Sequence, residues 1–397
     1  MKQELPYREK FNVLFFTGFL DNQLSGPYLT LKQTAEHLAQ RGNKVSAIGT
    51  RNDSVGNGFS DWVIPVKAFQ SYGPKALHFS PSLVHWLYEN IRNSEILSVQ
   101  AVWLYGTKQA LALCKKNGLS LMITAHGNFN PPALKMSKWK KSLAKRTFLK
   151  NVLENVDCYQ ALTETEYLHI RNYGIKKPVC VIGNGIDIPE LLESEEVLSI
   201  LNKDLTKRRT CLYLGRLHPI KGIERLLGAW ADLMPDDNWQ LVIAGSGDEI
   251  YVKSLMRLAE EKKCRNVFFV GPVFGDEKAA WLQYADFMVL PSYSEAFAMA
   301  PMEGLSRGTP ALITDACNFP EANSVGAALE VPSTADGVLK GLEQMLSHSE
   351  STHVSMGRIG RSFVQDRYSW DYICDELEKV YVWLRNGGNP PSCVRVD

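Results

Sequence analysis

The sequence predicts an α/β chain of two domains, each a parallel sheet covered by helices, and three observations predict it. At 397 residues the chain exceeds what one hydrophobic core usually organises. Short apolar strands ending in Gly or Pro alternate with runs of helical periodicity, as βαβ units require. That alternation runs from residue 12 to residue 182 and restarts at residue 210. With 45% hydrophobic residues, 22% charged residues and a formal net charge of +1, the chain reads as a soluble globular protein, and no global charge points to nucleic acid. Its eight cysteines form no C-x-x-C pair and meet no histidine at zinc spacing, which argues against a metal site or a disulfide framework and fits a reducing cytoplasm. Residues 11–20 are apolar, but acidic Glu4 and Glu9 precede them and no small-residue cleavage site follows, so they read as a buried strand and not as a signal peptide. No apolar run reaches the roughly 18 residues of a spanning helix.

In the first half, residues 12–17 form a strand, and Leu31, Ala35, Leu38 and Ala39 set a helix over 28–41 that Gly42 ends. Residues 44–48 are the second strand, completing an opening Rossmann-like βαβ unit. Residues 53–81, rich in Gly, Ser, Pro and aromatics, read as irregular connections. Strand 101–104, helix 106–116 and strand 119–125 follow, and the last delivers His126-Gly127-Asn128 to the carboxyl edge of the sheet. From Lys135 to Lys150 there are seven basic residues, no acidic ones, and interleaved apolar residues. Such a helix suits an anionic membrane surface or a solvated face. Strand 157–161, helix 164–173 and strand 179–182 close the half. They give way to Gly183-Asn184-Gly185-Ile186-Asp187, whose glycines allow the unusual backbone angles of a hinge loop.

Residues 193–208 read as a charged, helical connection. The alternation then restarts with strand 210–214, the turn Gly215-Arg216-Leu217, Lys221-Gly222 and helix 223–233. Two cations near a helix start can neutralise a diphosphate, Arg216 through a planar fork and Lys221 as a point charge. Strand 240–244 with its Gly245-Ser246-Gly247 turn, strand 267–270 with Gly271-Pro272-Val273-Phe274, and helix 276–285 lead to strand 287–290. Pro291 and Ser292 break that strand at the carboxyl end of the sheet. A loop carrying Glu295 follows, then a helix over 298–305 with Pro301 in its first turn and Glu303 just inside it. These two carboxylates sit on different elements, both facing the crevice where open α/β sheets bind ligands. After residue 330 the chain turns helical. Residues 368–384 place Trp370, Tyr372, Ile373, Leu377, Val380, Tyr381 and Leu384 at helical spacing, and 386–397 reads as a loose tail.

The E-x7-E pair of Glu295 and Glu303, set between a strand, a Pro-Ser break, a helix and Gly308-Thr309-Pro310, resembles the signature of retaining glycosyltransferases of the two-Rossmann-domain (GT-B) type. With Gly215-Arg216-Leu217 and Lys221-Gly222, it most closely resembles glycosyltransferase family 4, the group 1 glycosyltransferases. The likeness is strong from Leu212 to Glu321 and looser before that. It implies two Rossmann-like domains facing a central cleft: an acceptor domain over 1–185, a nucleotide-sugar donor domain over 186–366, and a terminal helix over 367–397 that crosses back to the first domain. Roles are implied as well. Arg216 and Lys221 would hold the departing diphosphate beside the Gly215 turn, and Glu295 would lie against the donor sugar. Glu303 would bind the nucleotide ribose, and backbone groups of Ala296, Phe297, Ala298 and Met299 would hold sugar hydroxyls and phosphate. The backbone at Val273 would meet the base, and His126 would meet the sugar near its 6-hydroxyl. Family members carry a Gly-Gly pair before the first helix, whose amides approach the diphosphate. Here the loop reads Ser25-Gly26-Pro27, so only Gly26 matches and Pro27 contributes no N–H; an ordinary turn and helix start is the other reading. Ala296 and Ala298 stand where Gly is common, which narrows the space beside the sugar.

A G-x-x-x-x-G-K-[ST] loop is absent, against a P-loop NTPase, and so is a G-x-G-x-x-G after the first strand, against a dinucleotide-dependent dehydrogenase. There is also no Asp-x-Asp pair of the kind that holds a donor through a divalent ion. The resemblance therefore implies a metal-independent retaining hexosyltransferase needing no cofactor, in which Arg216 and Lys221 replace the cation. Its expected donor is a UDP-sugar such as UDP-glucose, and its acceptor a hydroxyl of a glycan or lipid-linked glycan in polysaccharide biosynthesis. The expected location is cytoplasmic, with residues 135–150 touching the anionic inner face of a membrane or cradling a phosphorylated acceptor. Two alternatives share the architecture: a sugar-nucleotide epimerase, and a non-catalytic partner subunit, which has no chemical need for Arg216, Lys221, Glu295 and Glu303 together.

Overall fold

The computed structural model describes residues 9–18, 20, 26–51, 59, 61–73, 78–135 and 149–396. The chain divides into two compact units, one made of 1–185 with 370–397 and the other of 186–369.

The first unit is built on strands β1 (Asn12–Thr17), β2 (Lys44–Arg51), β3 (Val66–Gln70), β4 (Ile96–Val99), β5 (Ser120–Thr124), β6 (Cys158–Ala161) and β7 (Val179–Val181). They are parallel and lie in the order β7-β6-β5-β4-β1-β2-β3, so the order reverses between β1 and β4. Both faces of the sheet are covered, and alternate residues serve each face, as buried parallel strands require. Leu14, Phe16, Leu97, Val99, Leu121 and Ile123 join one core. Val13, Phe15, Ile96 and Met122 join the other, together with Trp370, Ile373, Cys374, Leu377, Val380 and Tyr381 of the helix Trp370–Asn386. Each such apolar side chain contributes about 1.5–3 kcal/mol when fully buried. Arg41 fixes the rotation of that helix. It pairs with Asp371 at 3.1 Å, with Glu378 at 2.9 Å and with Asp375, and Asn43 donates to Glu378 at 2.8 Å.

Four expectations need correction. Residues 101–104 are not a strand: β4 is Ile96–Val99, and the apolar run after it is a loop whose Ala101, Val102 and Leu104 are buried. Apolarity there reports burial, not extended pairing. The irregular stretch after residue 53 contains β3, which pairs with β2 in parallel from Val66 opposite Ala47 to Gln70 opposite Arg51. The tail is not loose throughout, because Val394–Arg395 adds an antiparallel strand to the edge of β7. Gly185 is required by packing and not by backbone angle: its φ lies outside the left-handed region, and a Cβ there would come within 2.2 Å of the Trp370 ring.

The second unit is an all-parallel sheet of β8 (Arg209–Leu214), β9 (Trp239–Ala244), β10 (Val267–Gly271), β11 (Phe287–Leu290), β12 (Ala311–Thr314) and β13 (Ala328–Val331). Its order is β10-β9-β8-β11-β12-β13, which reverses between β8 and β11. Every residue of β9, β11 and β12 is buried, so these strands read as nearly continuous apolar runs in which only Gln240 and Thr314 are polar. In open sheets of this winding the loops after the two strands at the reversal part to opposite faces and leave a crevice at the carboxyl edge. No helix among the described residues is long and apolar enough to cross a membrane.

Candidate active site

The reversal in the second sheet collects three of the residues singled out by the sequence, Arg216, Lys221 and Glu295. The loop after β8 carries Gly215 and Arg216, and the loop after β11 carries Glu295. Two glycines let the neighbouring loops meet. At Gly245, with φ 152, a Cβ would lie 1.8 Å from the Gly215 carbonyl oxygen, and at Gly222, with φ 69, one would lie 2.2 Å from that of Pro291. The amide of Leu217 donates to Ser246 at 2.8 Å, and the hydroxyl of Tyr213 donates to the Arg216 carbonyl at 2.8 Å. These contacts fix the backbone of Arg216 and leave its residue surface exposed.

Lys221 ends the short helical turn Pro219–Lys221 and donates to Oε1 of Glu295 at 2.6 Å. The same oxygen accepts from the Ser292 hydroxyl at 2.5 Å. Side-chain exposures of 15% and 12% make this an ion pair largely withdrawn from water, where attraction exceeds that of a surface pair. The Glu295 backbone is stapled as well: its amide donates to Ala316 at 2.9 Å, and its carbonyl accepts from Asn318 at 2.7 Å. Beneath the loop lies Arg225, 8% exposed, whose Nε and Nη2 both donate to the carbonyl of Pro291. A third donor, Nη1, reaches Ser333, and the guanidinium carbon lies 3.7 Å from the centroid of the Tyr293 ring.

Glu303 lies on the helix Met299–Ser306 and does not join that pair; it accepts from Lys278 at 2.7 Å. In the segment between the two carboxylates, Phe297 turns its ring into the core against Tyr368, and Ala298 is buried. The amide of Met299 donates to the Phe297 carbonyl at 3.0 Å. Val273, 5% exposed, also turns its side chain inward, while its neighbour Phe274 is 70% exposed.

His126 and Gly26 belong to the first unit. His126 follows β5 with a φ of 48°, and its Nε2 lies 2.9 Å from Oε1 of Gln100. Burial of the ring lowers its pKa to about 4, so the imidazole is neutral near pH 7. The next amide, Gly127, donates to Glu166, which also accepts from Leu162 at 2.7 Å. Burial raises the Glu166 pKa to about 7 against the opposing pull of those two amides. Gly26 opens the helix Gly26–Gln40, and among the described residues nothing lies within 4 Å of where its Cβ would stand. Of the basic stretch at 135–150, residues 136–148 lie outside the described residues.

Sequence reasoning missed Lys278, Ser292, Arg225, Gln100 and Glu166. One of them had a signal. Thr163 and Glu166 have the T-x-x-E spacing of a capping box, and Thr163 does accept from the Glu166 amide at 3.1 Å. The carboxylate, however, turns to Leu162 and Gly127. Ser292 meets Glu295 only three residues on, through the fold of the loop, and Lys278, Arg225 and Gln100 depend on partners far away in sequence.

Comparison with known proteins extends the likeness over most of the chain. A model described as Glycosyltransferase Family 4 matches residues 29–190, and one described as Glycosyl transferases group 1 matches residues 200–363. An uncharacterized glycosyltransferase of Methanocaldococcus jannaschii is 32% identical over 174 residues, 43% of this chain and 44% of its own length. A D-inositol 3-phosphate glycosyltransferase of Corynebacterium aurimucosum is 33% identical over 177 residues, 43% of this chain and 42% of its own. The matched stretch thus spans less than half the length of these two relatives. Among solved structures, sucrose-phosphate synthase of Thermosynechococcus elongatus aligns with a TM-score of 0.77 at 19% identity, covering 95% of this chain and 100% of that one. Anabaena HepE in complex with UDP and glucose aligns with a TM-score of 0.73 at 15% identity, covering 92% and 98%. The sheet order, the loops at the reversal of the second sheet and the two family matches agree, and the chain belongs to the group 1, family 4 glycosyltransferases of the GT-B fold.

Proposed function

We propose that this protein is a retaining, metal-independent hexosyltransferase that moves a hexose from a nucleoside-diphosphate sugar to a hydroxyl of a glycan or lipid-linked glycan in polysaccharide biosynthesis. The observation that carries the reading is the gathering of Arg216, Lys221 and Glu295 at the carboxyl edge of the second sheet where its strand order reverses. A UDP-sugar such as UDP-glucose is the donor we favour, a choice supported by the UDP and glucose that HepE holds on the same fold.

In the reaction, the bond between the anomeric carbon and the β-phosphate oxygen breaks, and the acceptor oxygen bonds to that carbon from the same face. The acceptor proton passes to the departing phosphate. Charge accumulates on the diphosphate as the bond breaks, and Arg216 with Lys221 neutralises it in place of a cation. Taking up the diphosphate releases Lys221 from Glu295, which frees that carboxylate to accept from sugar hydroxyls. Glu303 takes the ribose hydroxyls, the backbone from Ala296 to Met299 takes sugar and phosphate oxygens, and that of Val273 meets the base. Gly215 forms the diphosphate turn, Gly26 supplies an amide near it, and His126 bonds a sugar hydroxyl. None of these groups is a nucleophile. Peripheral contact of residues 135–150 with an anionic membrane on the cytoplasmic side completes the reading.

The test is release of nucleoside diphosphate from a panel of UDP-, GDP- and ADP-sugars, with a chelator present, beside Glu303→Ala and Arg216→Ala. Slow release from one donor, lost in both variants, is the expected result. No release and no nucleotide binding from any donor refutes the reading in favour of a partner subunit.

A further inference from the structure

Beneath His126 lies a run of buried polar side chains that the donor chemistry above does not employ. Gln100, 5% exposed, directly follows β4 at the reversal of the first sheet. Its Oε1 lies 2.9 Å from Nε2 of His126, and its Nε2 lies 2.8 Å from Ser98 Oγ and 3.3 Å from Thr124 Oγ1. Thr124 Oγ1 is 2.9 Å from Gln160 Oε1, and Gln160 Nε2 is 3.0 Å from the backbone carbonyl of Ile182. Ser98, Thr124 and Gln160 are all buried.

The direction of each bond follows from the far end. A backbone carbonyl only accepts, so the amide nitrogen of Gln160 faces Ile182 and its oxygen faces Thr124. Thr124 gives its one hydroxyl proton to that oxygen and has only lone pairs left for Gln100. Gln100 therefore turns its nitrogen to Thr124 and Ser98, and its oxygen to His126. An oxygen acceptor there requires a proton on Nε2. In a neutral imidazole this leaves Nδ1 as a bare acceptor. The backbone of the same residue is held by the bond from Gly127 to Glu166.

We propose that the relay of Gln160, Thr124 and Gln100 holds His126 as the Nε2–H tautomer, so that Nδ1 reads the proton of a neutral sugar hydroxyl and selects hexose donors over uronic acid donors. The inference rests on the sugar contact assigned to His126 above. A hydroxyl donates into the Nδ1 lone pair. A uronate carboxylate has no proton to give, so it meets lone pair with lone pair and loses its hydration without replacement. One missing hydrogen bond of this kind corresponds to about tenfold in affinity. Gln100, Thr124 and Gln160 are positioning residues, since none of them touches the sugar.

The tautomer is read directly in the full-length protein with isotopically labelled imidazole nitrogens, and the spectrum of His126→Asn identifies the signals of His126 among the eight histidines. The expected spectrum has Nε2 protonated and Nδ1 bare, unchanged through about pH 6.5, where an ordinary histidine titrates. Thr124→Val and Gln160→Leu leave His126 and Gln100 in place but remove the directional constraint. They should give mixed tautomers and a raised donor KM with unchanged affinity for free UDP. In Gln100→Glu the carboxylate accepts from Nε2 without the relay and favours the imidazolium, so binding of UDP-glucuronate relative to UDP-glucose rises roughly tenfold. An Nδ1–H tautomer in the unmutated protein overturns the relay, as does a Thr124→Val spectrum identical to it. Equal affinity of the unmutated protein for UDP-glucose and UDP-glucuronate overturns the selection. A protein that binds no sugar nucleotide refutes the transferase reading, and with it the selection, whereas the spectrum judges the relay separately.

Discussion

Replacing Arg225 with Met removes the clamp under the loop that carries Glu295. Two N–H groups of the guanidinium go to the Pro291 carbonyl, at 3.0 and 2.5 Å, one goes to Ser333, and the plane packs over Tyr293. A hydrogen bond from a charged donor is worth about 1.5–3 kcal/mol, and two carbonyls lose theirs. The contact with Tyr293, whose ring is half exposed, adds about 0.5–1 kcal/mol. Against this stands the desolvation of the guanidinium, which already lowers its pKa and which Met does not suffer. The net loss is then about 3 kcal/mol of local stability. Hydrogen exchange at the amides of β8 and β11 measures it. Activity should suffer more than nucleotide affinity, because the clamp holds the Glu295 loop and not the turn of Arg216. A displacement near 1 Å at a reacting centre costs about a hundredfold, so kcat/KM falls by about that factor while affinity for free UDP stays within about threefold. Arg225→Lys offers one point charge to two carbonyls and should restore only part of the loss. Wild-type exchange and turnover in Arg225→Met would refute the clamp.

Gly222→Ala forces a Cβ to within 2.2 Å of the Pro291 carbonyl at a φ of 69°, and strain of about 2 kcal/mol should lower the calorimetric midpoint of the second unit by roughly 4–8 °C; an unchanged midpoint would show that the loop relaxes freely. Glu166 makes stability depend on pH. Its folded pKa of about 7 exceeds that of an unfolded glutamate, so its contribution is complete below about pH 4.3 and is lost as pH rises through 7, on the order of 3 kcal/mol in all. Glu166→Gln should flatten that part of the stability profile of the first unit, and a profile that keeps its slope would assign it to another group. The protein should co-sediment with anionic liposomes at low salt and be released by added salt, as an electrostatic contact through residues 135–150 requires; no co-sedimentation at low salt removes the membrane from the proposal.

The fold was legible where apolar runs coincided with turn residues. Phe287–Leu290 followed by Pro291 and Ser292, and Arg209–Leu214 followed by Gly215, fall close to where periodicity and Gly or Pro punctuation put them. Reading failed where burial and extension part company. Ala101 to Leu104 are apolar because they are buried, yet β4 lies a few residues earlier and contains Ser98. In β3 the strand was hidden because none of its residues is fully buried, so no continuous apolar run marks it. The same division holds at the site. Lys221 and Glu295 were visible as motif members, but their direct ion pair was not. Lys278 looks in the sequence like any helix-surface lysine, and only the packing of its helix beside Met299–Ser306 makes it the partner of Glu303. Gln100 was invisible for the same reason, since its meaning comes from three strands laid side by side.

The first unit is sewn together from two stretches that the second unit separates, 1–185 and 370–397. Its core contains six side chains of the helix Trp370–Asn386, and β7 gains its edge partner only from Val394–Arg395. During synthesis the second unit, continuous from 186 to 369, can complete its sheet as soon as it leaves the ribosome. The first unit must wait, with the face that receives Trp370 and Tyr381 uncovered, until the helix Trp370–Asn386 has emerged. Premature termination between residue 369 and Tyr381 would therefore spare the later-made unit and cripple the earlier-made one. Chaperone demand should concentrate on nascent chains of that length, where an apolar face already formed has not yet met the segment that closes it.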